Sequence, residues 1–213
     1  MKTDRLVTLL STGVEPIDPR RLGRGRAMVL AGGILASFVL CLVLLGINPR
    51  LRAETAEGSF WLKEAYCTAL TVLGFIAVSH LSRPGRSSRR AIVGIGGVLA
   101  AMWVCGLIGV LSAPPAERVH LVMGSTAAVC PLLIALLSVP VWLSYLGVMR
   151  GLAPTRLRWA GAGGGFAAGA TGALVYSLHC PELAAPFVGL WYLLGMAIPT
   201  GVGAALGPRL LRW

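Results

Sequence analysis

Six stretches of about 20 or more residues with few charges divide this chain, at about 27–47, 61–81, 91–112, 120–148, 159–178 and 184–206. A hydrocarbon core of ~30 Å needs about 20 apolar residues in a helix, so each stretch is long enough to cross a bilayer. Backbone polar groups cannot be left bare in lipid, so these stretches are expected to be helices. Composition agrees: 56% of residues are hydrophobic, only 13% are charged, and the charges cluster between the apolar blocks. The predicted fold is all-α, a polytopic bundle of six transmembrane helices (27–213) preceded by a cytoplasmic tail (1–26). A cleavable signal peptide is not expected, because the first apolar block starts near Ala27 and lacks a small-residue cleavage site.

The net charge of +11 invites a nucleic-acid reading. Membrane proteins load Lys and Arg into their cytoplasmic loops, which explains the charge without direct nucleic-acid contact. With the N-terminus inside, the inner segments hold 15 of the 19 basic residues: Lys2, Arg5, Arg20, Arg21, Arg24, Arg26, Arg83, Arg86, Arg89, Arg90, Arg150, Arg156, Arg158, Arg209 and Arg212. Only Arg50, Arg52, Lys63 and Arg118 fall outside, together with Glu54, Glu57, Glu117 and Glu182. Both termini of this multi-pass chain are therefore expected on the cytoplasmic side.

Within the spans, Gly161, Gly165, Gly169 and Ala173 recur every four residues on one helical face. Such a small-residue stripe serves close helix packing within the chain or a homodimer. Pro131 and Pro140 in the fourth span each remove a backbone donor, which makes a hinge or a fixed bend. Lys63 is expected to snorkel to the outer surface, and Glu64 to need a partner or water near the boundary. The tryptophans lie mostly near span ends, as in an interfacial aromatic belt.

Five cysteines, Cys41, Cys67, Cys105, Cys130 and Cys180, all fall in the outer half of the bilayer or at its outer edge. Cys41, Cys67 and Cys105 read as small apolar residues. Cys180, in "LHCPE", precedes Pro181, and proline favours the first helical position, so Cys180 is expected at the N-cap of the sixth helix on the outward face. A helix N-terminus stabilises a thiolate. Cys180 with His179 is thus a candidate sensor, and Cys180, His179 and Glu182 are a candidate metal set. An ideal fourth helix puts Cys130 ~14 Å below the outer boundary, which makes a direct Cys130–Cys180 bridge awkward unless the turn dips inward or the helix starts late. Separate modification, or a metal shared with His179, are the alternatives.

No C-x-x-C, H-E-x-x-H, phosphate-loop or nucleophile-elbow motif is present, and the short loops leave no room for an extramembrane catalytic domain. No enzyme activity and no cofactor are expected; a membrane thiol oxidoreductase and a small transporter are the competing readings. In the tail, Leu6, Val7, Leu9 and Leu10 form one apolar face of a short helix that Thr3 or Asp4 can cap and Gly13 can end. So short a helix is marginal alone in water and needs a membrane surface, the protein's own loops or a partner's groove.

The opening "MKTDRLVTLLS", then "PIDP", "FWLKEAY", "LSRPG", "CPLLIALLSVPVW" and the closing "LHCPE…FVGLWYLLGMAIPTGVGAALGPRLLRW" occur in this order over nearly the whole chain. In these the sequence resembles the NrsF-type family, negative regulators of an extracytoplasmic-function sigma factor. The resemblance implies an inner-membrane anti-sigma factor that holds its partner inactive and releases it under heavy-metal or oxidative stress. It also implies that two cysteines matter, which by motif are Cys130 and Cys180.

Overall fold

The computed structural model describes residues 3–12, 19–83 and 85–212. They form helices joined by short turns, with no strand among them. In chain order these are α1 (Thr3–Ser11), α2 (Pro19–Leu44), the single turn α3 (Leu51–Glu54), α4 (Gly58–Leu81), α5 (Arg89–Ser112) and α6 (Pro115–Met123). There follow α7 (Cys130–Arg150), α8 (Leu157–Ser177) and α9 (Ala185–Phe187), which runs through a π-helical segment (Val188–Tyr192) into α10 (Leu193–Leu210).

Five of these helices are long and apolar enough to cross a membrane: α2, α4, α5, α7 and the continuous α9–α10. The expected fifth span, α8, falls outside that set for a physical reason. Glycine and alanine dominate it, and neither is strongly apolar. It has little need to be, because fourteen of its 21 residues are buried inside the bundle. Helices α4, α7 and α10 surround it. Helix α5, which packs on α4 and α9 at the edge, buries only three of its 24 residues.

The small-residue stripe of α8 is what allows this packing. A Cβ on Gly161 would strike the Gly203 carbonyl of α10, and one on Gly165 would strike the Pro199 carbonyl. One on Gly169 would lie 2.9 Å from Met196 Cα. The stripe is consumed inside the chain, so it offers no surface to a second copy.

Two expected helix ends move. The first long helix begins at Pro19 rather than near Ala27, since proline suits a first turn and arginine is a good helix former. The fourth long helix begins at Cys130, not near 120, because α6 and a turn occupy residues 115–129. Gly124, at φ +53, makes the break after α6. Pro131 therefore sits in the first turn of α7, where its missing donor costs nothing, and only Pro140 is interior. The expectation of two interior prolines reduces to one. Ser37 on α2 donates to the Leu137 carbonyl (2.7 Å) and Ser144 to the Pro140 carbonyl (3.0 Å), both close to Pro140.

The bundle has two unlike ends. At one, Arg26 reaches the Gly151 carbonyl (3.5 Å) and Arg150 donates to the Leu210 carbonyl (2.8 Å), among the arginine-bearing turns. At the other lie the α2–α4 connection, the α6–α7 turn and residues 178–184.

Of the tail, α1 forms over Thr3–Ser11. Val7 is exposed on it. The side chains of Leu6, Leu9 and Leu10 lie outside the described residues, as do Gly13 and residues 16–18 of the "PIDP" segment.

Candidate functional site

The segment from Leu178 to Ala184 is held by every element around it. As α8 ends, His179 N and Cys180 N both donate back to the Tyr176 carbonyl (2.9 and 3.0 Å). Asn48 N of the α2–α3 loop donates to the Leu178 carbonyl (3.2 Å), and His179 Nδ1 meets the Gly46 carbonyl (3.1 Å), which makes it the donor. Lys63 Nζ of α4 donates to the Cys180 carbonyl (2.9 Å). Glu182 Oε1 accepts from both Ser125 N and Ser125 Oγ (2.7 Å each) in the α6–α7 turn. Four separate parts of the chain thus converge on one seven-residue connection.

Two expectations for Cys180 fail here. It is not an N-cap: residues 180–184 are irregular, the last long helix starts at Ala185, and Pro186, not Pro181, occupies the favoured first turn. Nor does its thiol face solvent, since Cys180 is 0% exposed. Hydrogen bonds from α4 and to the α6–α7 turn pull the connection into the bundle, and the apolar side chains of α9 and its neighbours close over it.

This inward dip, with the late start of α7, brings together what ideal helices kept apart. Cys67, Cys130 and Cys180 are each 0% exposed and share one cluster with Tyr176 and Tyr192. The three thiols lie within electrostatic reach of one another and of Lys63. All are free thiols. Thr126 Oγ1 is 3.9 Å from Cys180 Sγ. The Tyr176 hydroxyl reaches both Cys130 and Cys180. Tyr192 is fully buried, and its hydroxyl also lies against Cys180. The π-helical segment ends on this residue, and such segments recur at functional sites.

Lys63 does not snorkel outward. It is 1% exposed, bonded to the Cys180 carbonyl and 5.7 Å from the Phe60 ring centroid. Its neighbour Glu64 faces Ser177, with Oε1 buried and unpartnered, and is within electrostatic reach of both Lys63 and Cys67. A buried ammonium is costly unless it is hydrogen-bonded or faces negative charge. Beside three thiols, it is the group that would compensate a thiolate.

The expected metal set is dispersed. His179 faces Gly46, Glu182 faces Ser125 and Cys180 faces the thiol cluster. Among the described residues no three His, Cys, Asp or Glu side chains are placed to hold a metal ion. Cys41 belongs to the same buried cluster, with its thiol toward the Val175 carbonyl (3.8 Å), and Cys105 is exposed on the outer surface of α5.

Reading the sequence missed Cys67, Lys63, Tyr176 and Tyr192. One signal was available: Lys63 and Cys67 are four apart and share a face of α4. The two tyrosines come together only through the α8–α10 packing.

The family model described as NrsF, negative regulator of sigma F, matches residues 10–213. The chain is 42% identical over 213 residues to a probable anti-sigma-F factor NrsF of Azospira oryzae, and 36% identical over 218 residues to an anti-sigma-F factor NrsF of Caulobacter vibrioides. Both matches cover the whole of each chain. No solved structure matches the chain significantly.

Proposed function

The chain belongs to the NrsF family of negative regulators of sigma F, and from that premise we propose that it is a multi-pass inner-membrane anti-sigma factor. It holds an extracytoplasmic-function sigma factor inactive and frees it when oxidants or heavy metals attack the buried thiol cluster. The observation that carries this reading is the full-length likeness to two named anti-sigma factors. The charge asymmetry supports six spans, α8 included, with both termini and the arginine end cytoplasmic. The thiol end then faces the periplasm. Residues Leu6, Val7, Leu9 and Leu10 of α1 dock in a groove of the partner, by the general mode in which an amphipathic helix is gripped.

The geometry supports a route between the ends. Helix α7 begins at Cys130 and finishes at Arg150, which donates to the Leu210 carbonyl at the arginine end. The α6–α7 turn just before it contacts the connection carrying Cys180 through Ser125 and Thr126. Modifying Cys130 or Cys180 adds bulk or charge to a site with no spare room. The ties at Lys63 and Glu182 break, α7 shifts against α2 and α10, and the inner surface changes. Release then depends on the difference in partner affinity between the two arrangements. Oxidation to a disulfide takes two electrons and two protons from the Cys130 and Cys180 thiols to the oxidant.

The test is co-purification of the sigma factor from detergent extracts with and without oxidant. The wild type should lose its partner on oxidation, whereas Cys130→Ser with Cys180→Ser should keep it under both conditions. Undiminished release from the double variant removes the thiols from the mechanism. Deleting residues 1–12 should abolish co-purification; full recovery would move the docking surface to the inner loops.

A further inference from the structure

The arginine end contains a cavity of about 650 Å³ between the α4–α5 connection and the start of α8. Arg83, Arg86, Arg89 and Arg156 line it, with the hydroxyl-bearing Ser87, Ser88 and Thr155. No aspartate or glutamate is among its described lining residues. The described carboxylates of the connecting segments, Glu54, Glu57, Glu117 and Glu182, all belong to the other end of the bundle. The connection is shaped for this form. Gly85 takes a left-handed φ of +78°, and His80 Nδ1 donates to the Ser87 carbonyl (2.9 Å), which folds the loop back over the end of α4. The first turn of α5 opens on the cavity, and the Ser88 side chain does not cap it.

Four guanidinium groups around one cavity suit an anion, and planar, multidentate donors suit phosphate above carboxylate-sized charge alone. A further observation selects the source of that phosphate. Ile92 and Val93 form part of the same lining, and both are largely exposed, on the first turns of a helix long and apolar enough to cross a membrane. A soluble acidic segment gains nothing from an apolar wall that faces lipid. A phospholipid uses both parts: headgroup phosphate among the arginines, acyl chains along Ile92 and Val93.

We infer that this cavity is a binding site for the headgroup of an anionic phospholipid, and that it holds one such lipid against α4, α5 and α8. The site is independent of the thiol cluster and of the sigma-factor reading.

The experiment uses the full-length protein in neutral detergent, titrated with phosphatidylglycerol or phosphatidylcholine, with bound lipid counted by native mass spectrometry. The wild type should retain phosphatidylglycerol in preference to phosphatidylcholine. Each basic residue near anionic lipid contributes about 5-fold in affinity. Arg86→Gln, on an exposed loop where folding is not at stake, should therefore lower retention about 3- to 5-fold. Replacing Arg83, Arg86, Arg89 and Arg156 together by Gln should lower it at least ~10-fold more than the same change at Arg21, Arg24, Arg209 and Arg212. Equal losses from the two quadruple variants would show attraction to surface charge without a site, and overturn the inference. So would displacement of the lipid by millimolar inorganic phosphate, which would make free phosphate the ligand. Unchanged lipid retention with loss of the co-purifying sigma factor would assign the cavity to the protein partner instead.

Discussion

The two ends of this bundle handle charge in opposite ways. At the thiol end, Lys63 is buried, Glu182 and His179 are half-buried, and each is tied to a different part of the chain from its own. At the arginine end, Arg83, Arg86, Arg89 and Arg156 are exposed around an open cavity. The difference teaches where structure and where ligands are to be sought. Such tied charges hold the fold together, and losing Lys63 leaves a buried carbonyl unsatisfied. Outward arginines cost little to remove and act on whatever lies beyond the protein.

Helix α8 joins the two ends, so the largest expected effect is a change that breaks both. Gly165→Leu places a side chain against the Pro199 carbonyl. It should cost at least ~3 kcal/mol and leave little monodisperse protein on size-exclusion chromatography. Normal yield and melting temperature would mean that α8 and α10 can separate, and the central position of α8 would be wrong.

Lys63→Met comes next. It leaves the buried Cys180 carbonyl without its donor, a loss of about 1–3 kcal/mol. Alkylation of Cys180 by a water-soluble maleimide should rise roughly 10-fold or more as the connection opens more often. Glu182→Gln keeps the shape but weakens two hydrogen bonds to Ser125, so about 1 kcal/mol and a rise of roughly 5-fold are expected. The smallest effect should come from the open end. Arg86→Gln should leave both stability and Cys180 alkylation within about 0.5 kcal/mol of wild type. A larger change in thiol access on altering Arg86 would show that the ends are already coupled without a partner, and would blur the contrast between them.

Much of the fold was legible because apolar length is a local property. The stretches at 61–81 and 91–112 correspond to α4 and α5 within three residues at each end. The glycine stripe declared its partner-facing side through spacing alone. What was not legible depended on how one segment meets another. Residues 120–129 are apolar enough to extend a helix, yet Gly124 and the Glu182–Ser125 contact turn them into a separate layer. Cys180 before Pro181 has the local pattern of a helix start, but pulls from α4 and the α6–α7 turn hold it irregular and buried. Lys63 beside a boundary reads as a snorkelling cation until a backbone carbonyl from 117 residues away accepts its hydrogen bond. The same segment that defeated the local rules is the one that gathers the thiols.

Complete burial of Cys180 has a consequence for timing. Under the proposed function, a reagent cannot strike the sulfur until the segment around it comes loose on its own. Once the reagent is abundant, each encounter during an opening succeeds, and the rate of response levels off at the frequency of opening. Beyond that level the protein would record how long an exposure lasted rather than how concentrated it was, and brief bursts would go unanswered.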